Sequence, residues 1–234
     1  MFFEVLNYIG KNNVNKIHLI AESLGSLQLL FTFSPEDFNQ LAVENVILLW
    51  PPLKIHESVK RFDKLIHDSL ITEKTCTYWW KWPIYFWEIR IKDSPDSLSN
   101  LDKKCLGAWG ITSGFVKMIN KTSKEVFDHQ EKNHEELPST FYDFIRIVTP
   151  EIFKVINSSQ EKLTLKSLLG PFKNQFPRFK IYSSENDFLN SSNEWEELKK
   201  NYPEISNNIY LYKWGGHSGP IGKPGFFYEV IKDM

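Results

Sequence analysis

Apolar residues recur along this chain in two patterns, short unbroken runs and stripes with helical spacing. Phe2, Val5, Leu6 and Ile9 stand at i, i+3, i+4 and i+7, which predicts an opening helix stopped by Gly10. A polar turn over 11–15 leads into Lys16-Ile17-His18-Leu19-Ile20-Ala21, a run that suits a buried strand. Residues 24–30 read as a helix, and 45–50 as a second buried strand closed by Pro51 and Pro52. Strand, helix, strand in this order predicts a βαβ unit and a parallel sheet.

Beyond Leu53 the pattern changes. Residues 58–68 and 115–133 read as helices of mixed polarity, and the densest aromatic cluster, 78–87, lies between them. Strand character resumes at 179–183 and again at 209–213, with helices expected over 193–201 and 225–232. The expected fold class is α/β: a partial, mostly parallel sheet built from 1–52 and 178–234. A large helical insertion over 53–177 separates its halves.

Composition narrows the function classes. Of 234 residues, 41% are hydrophobic and 15% aromatic, which excludes disorder, collagen and a disulfide scaffold. With 28 basic against 29 acidic residues, the chain lacks the electrostatic footprint of a nucleic-acid binder. No apolar run approaches the ~18 residues of a transmembrane helix, so no transmembrane segment is expected. Cys76 and Cys105 have neither framework nor zinc spacing and are expected as free thiols in a reducing, cytoplasmic compartment.

Three sequence features carry chemistry. Ser23 lies in Ala21-Glu22-Ser23-Leu24-Gly25, between a strand and a helix, with small residues two positions to either side. A nucleophile on a sharp strand-to-helix turn needs small flanks, because bulk there would clash with the strained backbone. The same turn offers the Leu24 backbone N–H, at a helix N-terminus, to a developing oxyanion. His217 is the second feature. Five of the 11 glycines (Gly215, Gly216, Gly219, Gly222 and Gly225) surround it, which marks a loop of unusual path presenting one titratable base. Asp187 is the third, in Ser184-Glu185-Asn186-Asp187 directly after a strand. Parallel strands deliver their C-terminal ends to one sheet edge, so Ser23, Asp187 and His217 are expected to converge there.

Over residues 1–52 and 178–234 the chain resembles the α/β-hydrolase family. The resemblance rests on 19–26 as nucleophile elbow, 184–187 as acid turn and Gly215-Gly216-His217 as histidine loop. It implies Ser23 as nucleophile, His217 as general base and then acid, Asp187 as the group orienting the imidazole, and the insertion as a cap. Ala21 and Ser184 stand where the family more often has glycine. No cofactor and no metal is implied, and the partner would be a small-molecule substrate of ester or amide type.

One departure is large. The family runs through several strands before its elbow, whereas here the elbow strand starts at Lys16. The loop that supplies a second oxyanion donor has no counterpart. A missing N-terminal portion or a completing chain is therefore expected.

The remaining candidates are weaker. His129, Glu131, His134 and Glu135 cluster, but a histidine spacing of five is not that of a helical zinc site. Trp79, Trp80 and Trp82 fit either the core of the insertion or an apolar substrate pocket. The leading expectation is a serine hydrolase acting on an ester, thioester or amide with an apolar portion. An acyltransferase would use the same triad, and a catalytically impaired fragment or non-catalytic binding protein is the rival class. An interaction protein that docks through the aromatic cluster is a further rival.

Overall fold

The structure, a computed structural model, describes residues 16–76, 114, 116–129, 140–148, 150, 153–154, 157, 164–213, 216–217 and 225–232. Among these, β1 (Ile17–Glu22), β2 (Val43–Leu49), β3 (Phe179–Ser184) and β4 (Ile209–Tyr212) form one sheet in the order β1-β2-β3-β4. Every pairing is parallel. The fold is thus of the α/β class, and the βαβ order predicted for the first two strands is present. The opening helix expected over 2–9 and the aromatic run with Trp79, Trp80 and Trp82 lie outside the described residues.

Burial explains why the strands read as apolar runs. The central β2 and β3 are buried at most positions, as strands covered on both faces must be. The outer strands differ: Ile20 on β1 is 45% exposed and Tyr210 on β4 is 41% exposed. Among the described residues no strand flanks β1 on its outer side.

The chain divides into two compact units, one comprising 1–54 with 161–234 and the other 55–160. In the first, α1 (Leu24–Thr32) follows the Ser23 turn and buries Leu27, Leu29 and Leu30. Next comes α2 (Pro35–Gln40), set by a capping box between Ser34 and Asp37 with Pro35 in its first turn. Phe38 of α2 packs on Phe172 and Phe179, with ring centroids 4.9 and 6.1 Å away. Phe172 and Phe176 belong to a 3-10 segment, Gly170–Arg178, that follows α6 (Leu165–Leu169). These buried rings explain why 161–177 group with the sheet and not with the insertion. A second cluster joins Ile47, Leu49, Trp50 and Tyr182 to Phe226 and Val230 of α8 (Phe226–Ile231). Between β3 and β4 runs α7 (Ser192–Asn201), also opened by a capping box, from Ser191 to Glu194.

The second unit contains α3 (Ile55–Thr75), α4 (Lys117–His129) and α5 (Phe141–Val148). Phe62 meets Phe141 edge to face at 4.9 Å. The Asp63 carboxylate accepts from the Phe141 N–H at the start of α5. Burial lifts the Asp63 carboxyl above the usual range, while backbone N–H groups of Phe141 and Tyr142 pull it the other way.

Cys76 corrects an expectation. It is disulfide-bonded, not a free thiol, and the chain holds one other cysteine, Cys105, outside the described residues. Proximity in space makes a disulfide, and sequence spacing does not report it. Among the described residues no helix is long and apolar enough to cross a membrane.

Candidate active site

The site is assembled from the C-terminal ends of β1, β3 and β4, where parallel strands deliver their loops. At the end of β1 the chain turns sharply at Ser23, which has φ 52° and ψ −126°. A positive φ is uncommon for a residue with a Cβ and costs about 1–3 kcal/mol, so the surroundings must enforce it. They do so through the main chain. The Ser23 N–H donates to Leu49 O at 2.8 Å, and the Ser26 N–H donates to Ser23 O at 3.0 Å. Below the turn, Ser26 Oγ donates to Ala21 O at 3.0 Å. Leu24 opens α1, so its N–H has no acceptor four residues back within the helix.

A Cβ built on Gly25 meets no heavy atom within 4 Å among the described residues outside its own helix backbone. The turn is marked by the Ser23 conformation and by its bond to Leu49.

The acid turn follows β3. Asp187 is only 3% exposed, and its carboxylate is surrounded by donors. Ser183 Oγ donates to Oδ2 at 3.3 Å, Asn190 Nδ2 donates to Oδ2 at 3.2 Å, and the Leu189 N–H donates to Oδ1 at 2.9 Å. A buried charge must be met in this way, since leaving it without partners is costly. Asn190 extends the network. Its Oδ1 accepts from the Leu53 N–H at 2.8 Å and its Nδ2 donates to Pro51 O at 3.0 Å. The segment leaving β2 is thereby tied to the acid turn.

His217 lies beyond β4, next to Gly216 at φ 58°. Its Nδ1 is 3.2 Å from each carboxylate oxygen of Asp187, and its Nε2 is 2.9 Å from Ser23 Oγ. An ionised carboxylate only accepts, so Nδ1 carries the proton and Nε2 is left to accept from the Ser23 hydroxyl. The imidazole is largely enclosed, with 12% of its side chain exposed, and the Phe188 ring packs 5.6 Å from it.

The structure thus brings Ser23, Asp187 and His217 into one hydrogen-bonded line and sets Leu24 beside them in sequence. Sequence reasoning passed over Ser183, Asn190, Asn186 and Phe188. Asn186 and Asn190 follow a strand, where turn formation is the commonest role of such residues, while Ser183 reads as part of β3 and Phe188 as an ordinary apolar position. His129 ends α4, while Glu131, His134 and Glu135 lie outside the described residues. Compared with known proteins, the chain matches no family model, no curated protein and no solved structure.

Proposed function

We propose that the protein is a serine hydrolase of the α/β-hydrolase type, cleaving an ester, thioester or amide bond in a small-molecule substrate with an apolar portion. The observation that carries this reading is the continuous contact from Ser23 Oγ to His217 Nε2 and from His217 Nδ1 to Asp187. Ser23 Oγ attacks the substrate carbonyl as its proton passes to Nε2, and Asp187 stabilises the imidazolium that forms. Collapse of the tetrahedral intermediate expels the leaving group, which takes the proton from Nε2, and an acyl-Ser23 ester remains. Water, deprotonated by the same nitrogen, then attacks the acyl carbon, and collapse of this second intermediate breaks its bond to Ser23 Oγ, which takes the proton back from Nε2 as the acid leaves.

The Leu24 N–H is the oxyanion donor in this scheme. A second donor would come from outside the described residues, from a further segment or a completing chain. One such donor is worth on the order of 3 kcal/mol in related chemistry. The disulfide at Cys76 favours an oxidising compartment over the cytoplasmic one expected from sequence.

An active-site phosphonate tests this directly. Intact-mass and peptide analysis are expected to find one adduct, on Ser23, in the wild-type chain and none in Ser23→Ala. Failure of both this chain and an N-terminally extended version to label, under conditions where a known serine hydrolase reacts, would overturn the reading.

A further inference from the structure

Asn186 has no part in the scheme above, yet its contact is placed in register with it. Its Oδ1 accepts from the Gly216 N–H at 2.9 Å. The next residue, Asp187, holds the imidazole of the next residue, His217. Two consecutive residues of one turn thus grip two consecutive residues of another. Phe188 continues the series, its ring tilted by 55° against the imidazole.

Gly216 shows why a restraint is needed there. Its φ of 58° is one of several conformations that glycine visits about equally readily, so the backbone alone does not select it. We infer that Asn186 is a positioning residue, which fixes the Gly216 peptide and thereby holds His217 Nε2 against Ser23 Oγ. The inference rests on the hydrolase reading. The bond between Asn186 and Gly216 is exposed, so its net contribution to folding is small. Its effect falls on placement, where an error of about 1 Å costs about 100-fold in rate.

The test uses the full chain as wild type, Asn186→Ala and Asn186→Asp, with two readouts. One is the downfield proton resonance of His217 Nδ1–H, and the other is the rate of phosphonate labelling at Ser23. In Asn186→Ala the imidazole proton is expected to exchange at least about tenfold faster. Labelling is expected to slow about 10- to 100-fold, while the thermal midpoint moves by less than about 4 °C. Asn186→Asp keeps an acceptor for the Gly216 N–H and is expected to recover most of both. Wild-type exchange in Asn186→Ala overturns the inference, as does a loss that follows a collapse in thermal midpoint and is not rescued by aspartate. A wild-type chain that shows the imidazole proton but does not label, with or without an N-terminal extension, overturns the hydrolase reading alone. The resonance still decides the role of Asn186 in that case.

Discussion

The two turns that meet at His217 hold their key residues by different means. At the Ser23 turn the position is stored in main-chain geometry: a positive φ, a backbone bond to Leu49, and the start of a helix. At the Asp187 turn it is stored in side chains. Ser183 and Asn190 reach the carboxylate, and Asn190 also reaches back to Pro51 and Leu53. A main-chain arrangement survives exchange of most neighbouring side chains, whereas a side-chain network fails at whichever member is removed. The contrast predicts that the nucleophile turn is tolerant and the acid turn brittle.

The largest effect comes from the nucleophile itself. Ser23→Ala is expected to lower turnover of an activated ester by about a millionfold while circular dichroism stays native. Its partner variant sharpens the argument. Ser23→Gly loses the same chemistry but relieves a positive φ, so its thermal midpoint should equal or exceed that of Ser23→Ala. A clearly lower midpoint would show that the turn is not strained.

Asp187→Asn comes next, with turnover down about 10,000-fold because the amide no longer enforces the working tautomer. It should also cost about 1–3 kcal/mol in urea unfolding, since an NH2 group then faces Ser183 and Asn190. Asn190→Ala orphans the buried Leu53 N–H and removes a donor from Asp187, and about 2–3 kcal/mol of stability should go with it. Ser26→Ala is its counterpart at the other turn and deletes one bond, to Ala21. There the expected loss is about 1 kcal/mol or less, with turnover within about threefold of wild type. Equal losses from Asn190→Ala and Ser26→Ala would erase the distinction between the turns.

Much of this frame was legible from residue order. β1 to β4 stand within a few residues of their predicted places because short apolar runs bounded by polar turns admit few other readings. The three residues of the hydrogen-bonded line were legible for a related reason, since each follows a strand of one parallel sheet. Helices α2, α5 and α6 were missed. The start signal of α2 is present in Ser34, Pro35 and Asp37, but six residues are too few to show a periodic stripe. Residues 170–177 of the 3-10 segment read as part of the insertion because their phenylalanines mark burial without saying against what. The Cys76 disulfide and the support from Asn190 depend on contacts across the fold, which local pattern does not encode.

The polypeptide leaves the sheet unit at Lys54 and returns by Thr164, and these two residues form an antiparallel bridge, extended by a bond from the Leu165 N–H to Leu53 O at 2.9 Å. Exit and entry are therefore stapled side by side, whatever lies between them. Lengthening the excursion twofold costs only about 0.6 kcal/mol in closure entropy. A chimera that exchanges the excursion at this seam is expected to keep the sheet unit folded, which circular dichroism and a thermal midpoint would check.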